Sequence, residues 1–161
     1  MDYDVEEPYQ PYGEELAEDE VKRLIDLAKS RINDEEYIFP DRGEALDIPL
    51  ISLNGAENFV LSVTVGRIDL LKTNSQLRLK TENIPLVRID TGNSIHKNPD
   101  GTIITEPHIH IYKEGYGLKY AYPLKNYLKT NTDDTYQVLH DFMNYCTIVK
   151  KPIIIKGVTQ W

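Results

Sequence analysis

Apolar positions change their period three times along the chain. Between Glu15 and Ile32, Val21, Leu24, Ile25, Ala28 and Ile32 recur at helical spacing, while Lys22, Arg23, Asp26 and Lys29 fall mostly on the other side. That pattern predicts an amphipathic surface helix over 15–32. Short β-patterned runs follow at 46–53, 58–65, 76–80, 84–90, 103–112 and 118–122. The clearest is 58–65, where Phe59, Leu61, Val63 and Val65 alternate with Val60, Ser62 and Thr64, giving one face greasier than the other. Pro49, Pro85 and Pro107 fall inside three of these runs. They point to edges, bulges or strand starts, because proline has no N–H to give to a ladder.

Helical spacing returns over 132–149, with Thr132 or Asp133 as the N-cap and Tyr136, Leu139, Phe142, Met143 and Cys146 as the apolar stripe. Pro152 follows, and Ile153, Ile154 and Ile155 read as a last buried strand. A helix, a series of strands, a helix and a strand imply one α+β domain over 14–161. The expected core is an antiparallel or mixed sheet of about five to seven strands, flanked by two amphipathic helices on one face. There is no internal repeat, Gly-rich phosphate loop or helix-turn-helix pair.

Charge changes this picture at one end only. The net charge is -8, yet the first twenty residues hold nine carboxylates (Asp2, Asp4, Glu6, Glu7, Glu14, Glu15, Glu18, Asp19 and Glu20) and no basic side chain. The rest is nearly neutral, and Arg78 to Lys129 is mildly basic, so an anionic ligand is compatible with the body of the chain. Residues 1–13, acidic and broken by Pro8, Pro11 and Gly13, are expected to form a flexible tail, either solubilising or docking through Tyr3, Tyr9 and Tyr12. No apolar run reaches the roughly 18 residues of a membrane span, and the start lacks a signal-peptide pattern, so a cytoplasmic location without membrane association is expected. The single cysteine, Cys146, excludes an internal disulfide and a cysteine-based zinc cluster, and its apolar setting suggests a small buried hydrophobe.

The chemistry concentrates between Arg88 and Tyr122. Asn98-Pro-Asp-Gly101 is a turn signal and Lys113 to Gly117 a second, so 103–112 and 118–122 should form a hairpin. Alternation then puts His108, His110 and Tyr112 on one face, Tyr120 and Tyr122 on one face of the next strand, and Arg88 and Asp90 on one face of the preceding strand. Three roles fit such a surface. It can be an ordinary amphipathic sheet face. It can hold a metal on the two histidines, with Asp90 or His96 completing the set. It can also perform metal-independent acid–base work on a phosphodiester, with a histidine moving the proton, Arg88 or Lys119 stabilising phosphate charge and a tyrosine orienting the substrate. His140, alone in the second helix pattern, reads as a surface or packing residue.

The block H-x-N-P-D-G, P-H-x-H-x-Y and G-Y-G-x-K-Y-A-Y-P, running from His96 to Pro123, resembles the signature of an uncharacterised family of short bacterial and phage-borne proteins. More loosely, it is similar to P-H-x-H segments of small toxin-antitoxin proteins. The resemblance implies a setting of phage defence or counter-defence. The leading expectation is a ribonuclease-like or toxin-type nucleic-acid-processing protein that needs no cofactor. His108, His110, Arg88, Asp90 and Lys119 would then be catalytic, and His96, Tyr112, Tyr120 and Tyr122 would bind substrate. Its partners would be RNA or an antitoxin. The alternative is a non-enzymatic inhibitor that binds a host nuclease or defence protein through acidic and tyrosine-rich surface.

Overall fold

The computed structural model describes residues 15–157. In chain order its elements are α1 (Glu18–Asp26), β1 (Lys29–Arg31), β2 (Glu36–Ile38), β3 (Ala45–Ser52), β4 (Asn58–Val65), β5 (Thr73–Leu79), β6 (Ile84–Asp90), β7 (His96–Lys97), β8 (Ile103–Ile104), β9 (His108–Ile111), β10 (Ala121–Pro123), α2 (Thr135–Tyr145), β11 (Ile148–Lys150) and β12 (Ile153–Ile155). Eight strands form one sheet in the order β10-β9-β6-β5-β4-β3-β1-β11, antiparallel except for the β1–β11 pair. β2 and β12 make a separate parallel pair, and β7 and β8 a separate antiparallel ribbon.

The α+β architecture with a mostly antiparallel sheet matches the hydrophobic pattern, but the sheet has eight strands rather than five to seven. The added strands, β1 and β11, are three residues each and too short to show alternation. The 103–112 run is broken, since Ile103–Ile104 pairs with His96–Lys97 and only His108–Ile111 enters the main sheet. Ile153–Ile155 stays outside that sheet, and of its three isoleucines only Ile154 is buried. Pro49 lies just past the stretch of β3 that β1 covers, and Pro85 sits opposite Arg78 at a register shift, so each proline avoids a ladder position that needs its N–H.

Register gives the sheet two unlike faces. Ile48, Leu61, Leu77, Val87 and Ile111 are successive cross-strand partners, forming an apolar row across β3, β4, β5, β6 and β9. Both helices close this face: Val21, Leu24 and Ile25 of α1 and Val138, Leu139, Phe142 and Met143 of α2 share one core with it. The neighbouring row on the other face reads Ser62, Gln76, Arg88, His110 and Ala121.

Both helices are shorter than their apolar periodicity suggests. α1 stops at Asp26, and Ile32, expected inside, is half exposed at 50%. α2 begins after Asp134, whose side chain accepts from Gln137 N, so Asp134 is the cap rather than Thr132 or Asp133. It ends before Thr147, whose φ of 59° turns the chain into β11. His140 is exposed on α2, and Cys146 is fully buried, its thiol pushed up to about 12 by that burial. The acidic tail proposed for 1–13, and any docking role for it, lies outside the described residues. Among the described residues no helix is long and apolar enough to cross a membrane.

Lys29, read from the sequence as facing outward, is fully buried. Its Nζ donates to Ile25 O at 2.9 Å, Leu27 O at 2.8 Å and Cys146 O at 2.8 Å, and lies 4.8 Å from the Phe59 ring centroid. One ammonium thus satisfies carbonyls at the C-terminal ends of both helices, where a positive charge also complements the helix dipoles. Burial lowers its pKa to about 8, against an ordinary 10.5. The unfolded chain therefore holds the Lys29 proton more tightly, and between these two values stability rises with pH. Compared with Lys29→Met, the wild type should gain relative stability as pH climbs from about 8 to about 10.5. Urea unfolding at several pH values measures this, and a stability difference that shrinks over that window would contradict it.

Candidate functional site

Cross-strand pairing assembles the site. Arg88 stands opposite His110 and Asp90 opposite His108, where β6 meets β9, so alternation gathers all four on the face away from the helices. All but Arg88 are closed to solvent: Asp90 is 2% exposed, His108 0% and His110 1%. The Arg88 side chain keeps a quarter of its surface in water.

The Asp90 carboxylate is the hub. Arg88 grips it with two donors, Nε to Oδ1 at 2.7 Å and Nη2 to Oδ2 at 2.9 Å. His110 Nε2 lies 3.2 Å from Oδ2, and His108 Nε2 lies 3.3 Å from the same oxygen. Burial alone would raise the Asp90 pKa, but the two imidazoles and the charge and hydrogen bonds of Arg88 outweigh it and hold the carboxyl well below its usual range. The His110 pKa is lowered: burial is the largest cause, Arg88 and His108 push the same way, and Asp90 opposes them.

Backbone carbonyls set the orientation of both rings. His108 Nδ1 donates to Glu106 O at 2.9 Å and His110 Nδ1 to Leu118 O at 2.7 Å. Each Nδ1 therefore carries a proton, and each Nε2 turns towards Asp90. Arg88 Nη2 donates to His110 Nε2 at 3.1 Å, whereas His108 Nε2 is buried without an aligned hydrogen-bond partner. Two imidazole nitrogens and a carboxylate oxygen converge on one spot. That arrangement can exchange a proton or hold a cation.

A ribbon formed by β7 and β8 covers this face. His96 lies edge-on to His110, with ring centroids 4.7 Å apart, and its Nε2 donates to Lys119 O at 2.7 Å. Asn98 clamps the ribbon to the edge strand, its Nδ2 donating to Ala121 O at 3.0 Å and its Oδ1 accepting from Ala121 N at 2.8 Å. The ribbon is approached through Gly92, at φ 76°, where a Cβ would fall 2.6 Å from Lys72 backbone atoms, so only glycine fits. The sequence shows Asn98 as a turn residue; its clamping role becomes visible only once β10 lies beside it.

The structure thus brings together Arg88, Asp90, His108 and His110, with His96 beside them. The remaining expected residues lie elsewhere. Lys119 meets the cluster through its backbone carbonyl. Tyr120 stands outside, edge-on to Tyr116 at 5.0 Å and with Lys113 Nζ 5.6 Å from its ring centroid. Tyr122 is opposite Ile109 and so faces the helices, while Tyr112 sits in the apolar core with its hydroxyl accepting from Leu16 N. Both line a cavity of about 530 Å³ against α1 rather than the histidine face.

Removing one member of a buried charged pair leaves its partner uncompensated. Asp90→Asn should destabilise the fold by about 3 kcal/mol, towards the lower end of such effects because Arg88 can reach water. Chemical denaturation measures this, and a loss below about 1 kcal/mol would show that the cluster does not depend on the charge.

No curated protein and no solved structure matches the chain. A family model matches residues 16–148, a span that contains Arg88, Asp90 and the three clustered histidines. The chain belongs to that family, DUF6978, a family of unknown function.

Proposed function

We propose that the chain processes nucleic acid, with Arg88, Asp90, His108 and His110 as its chemical centre and no metal ion required for the reaction. The observation that supports this best is a partly exposed guanidinium in front of a buried imidazole–carboxylate group. A phosphodiester arriving at this face meets Arg88 first, and a guanidinium binds phosphate oxygens as readily as a carboxylate. When Arg88 turns to phosphate, the His110 Nε2 lone pair loses the donor it holds at 3.1 Å.

His110 then takes the proton of an attacking ribose hydroxyl, and that oxygen bonds to phosphorus. The bond from phosphorus to the next nucleotide breaks, and the departing oxygen takes a proton from His108 Nε2, which for this step enters as the imidazolium against the Asp90 carboxylate and leaves neutral with Nδ1 still protonated. Lys119 and Tyr120, outside the cluster, contact the flanking strand. Tyr112 and Tyr122 have no part, since they face the helices. Reaching the histidines requires the β7–β8 ribbon to lift, with loss of the Asn98 and His96 hydrogen bonds that hold it down. Toxin-type activity within phage defence is one setting in which such a gated nuclease would operate.

Asparagine can keep the donor that each Nδ1 supplies while removing Nε2. In His108→Asn with His110→Asn, cleavage of single-stranded RNA should fall by more than about 100-fold. Circular dichroism would establish that the fold is kept, and EDTA should leave wild-type cleavage intact. Undiminished cleavage in a folded double variant would rule out the histidines.

A further inference from the structure

We propose that Asp90, His108 and His110 also form a binding site for one divalent transition-metal ion of the zinc class, taken up in exchange for the Arg88 guanidinium. The donor set is two imidazole nitrogens and one carboxylate oxygen, a combination that suits zinc and its neighbours better than magnesium or calcium. One donor atom from each residue lies within 4.8 Å of the other two. Zinc bound tetrahedrally at about 2.0–2.1 Å holds its ligands about 3.3 Å from one another. The Asp90 oxygen already stands 3.3 Å from His108 Nε2 and 3.2 Å from His110 Nε2. Two of the three ligand–ligand edges therefore match a loaded site, and the third, at most 4.8 Å, closes when one imidazole moves by up to about 1.5 Å.

The surroundings are those of a ligand set. Both Nδ1 atoms donate to backbone carbonyls, the arrangement that orients metal-binding histidines and fixes the tautomer with Nε2 as donor to the ion. His108 Nε2 is the second, independent sign: it is fully buried, points at Asp90 and lacks an aligned hydrogen-bond partner. A ring nitrogen aimed at a carboxylate oxygen 3.3 Å away calls for a positive charge there, which a proton or a metal ion supplies. Arg88 provides one for His110 but not for His108, its Nη2 bonding His110 Nε2 and Asp90 Oδ2. A dication and a guanidinium cannot share that position, so loading drives Arg88 outward, the direction in which a quarter of its side chain is already exposed. Water completes the coordination.

This site does not depend on the nucleic-acid activity, and it would oppose it. A metal on both Nε2 atoms occupies the lone pairs that acid–base chemistry uses, so zinc would act as an inhibitor at this centre.

The test is calorimetric titration of the full chain with Zn²⁺ at neutral pH and no nucleic acid present, with Mg²⁺ as the control and Co²⁺ absorption reporting the geometry. Expected are one equivalent of Zn²⁺, no Mg²⁺ binding and a tetrahedral Co²⁺ spectrum. His108→Asn should weaken Zn²⁺ binding at least tenfold, His140→Ala should leave it unchanged, and Arg88→Gln should strengthen it at least tenfold. Absence of a stoichiometric site in the wild type would overturn the proposal. So would equal affinity in wild type and His108→Asn, or Arg88→Gln binding no tighter than wild type. Because no RNA is present, failure here leaves the nucleic-acid proposal standing. Loss of RNA cleavage in the histidine variants, in turn, does not bear on zinc affinity.

Discussion

A carboxylate buried on a sheet face, at the end of β6, is the constraint to which the rest of this structure answers. Moving the charge of Asp90 out of water costs several kcal/mol unless partners compensate. Arg88 compensates it with two hydrogen bonds while the rings of His108 and His110 pack against the same carboxylate, and the four residues meet only in one register of β6 against β9. A slip of one residue would turn both histidines towards the helices and leave Asp90 opposite Ile109 or Pro107. The polar cluster therefore selects the same pairing that sets Ile89 against Ile109 and Val87 against Ile111 on the apolar side. Core packing and site assembly are two consequences of one alignment.

Burial on both sides follows from this. An antiparallel sheet commonly leaves one face to water, but here the helices close the apolar face and the β7–β8 ribbon closes part of the polar one. The ribbon is held by side chains reaching backbone, Asn98 to Ala121 and His96 to Lys119, and so it is fixed to edge strand β10 and to the turn before it. The carbonyl that orients His110 belongs to Leu118, in the same turn. The hydrogen bonds that hold the ribbon and the one that orients His110 thus fall on the same short stretch, residues 118–121, while His108 is oriented separately by Glu106 O.

Much of the site was legible in the sequence because strand alternation is local. The pairs Arg88/Asp90 and His108/His110 sit two apart, so each shares a face, and the turn at 113–117 places β10 beside β9, whereas the turn at 98–101 closes the β7–β8 ribbon and β6 meets β9 without a tight turn between them. What alternation could not show was where each strand stops. β10 starts at Ala121, so Tyr120 falls outside it, and Tyr122 opposite Ile109 points to the helices. β9 ends at Ile111, beyond which Tyr112 N bonds to Leu86 O and its ring enters the core. The fold shows the same division. The eight-residue alternation of β4 could be read from end to end, whereas β1 and β11 exist only because distant segments pair. Lys29 departs from its pattern because a lysine in an amphipathic helix ordinarily faces water, whereas here the ends of two helices supply three carbonyls that replace it.

The claim on which both functional proposals rest is that His108 and His110 are locked with Nδ1 protonated and Nε2 turned to Asp90. Long-range ¹H–¹⁵N NMR correlation of the imidazole rings, at neutral pH in the metal-free protein, reads this directly. The account predicts a protonated Nδ1 in both residues. A bare Nδ1 with the proton on Nε2, in either ring, would contradict it.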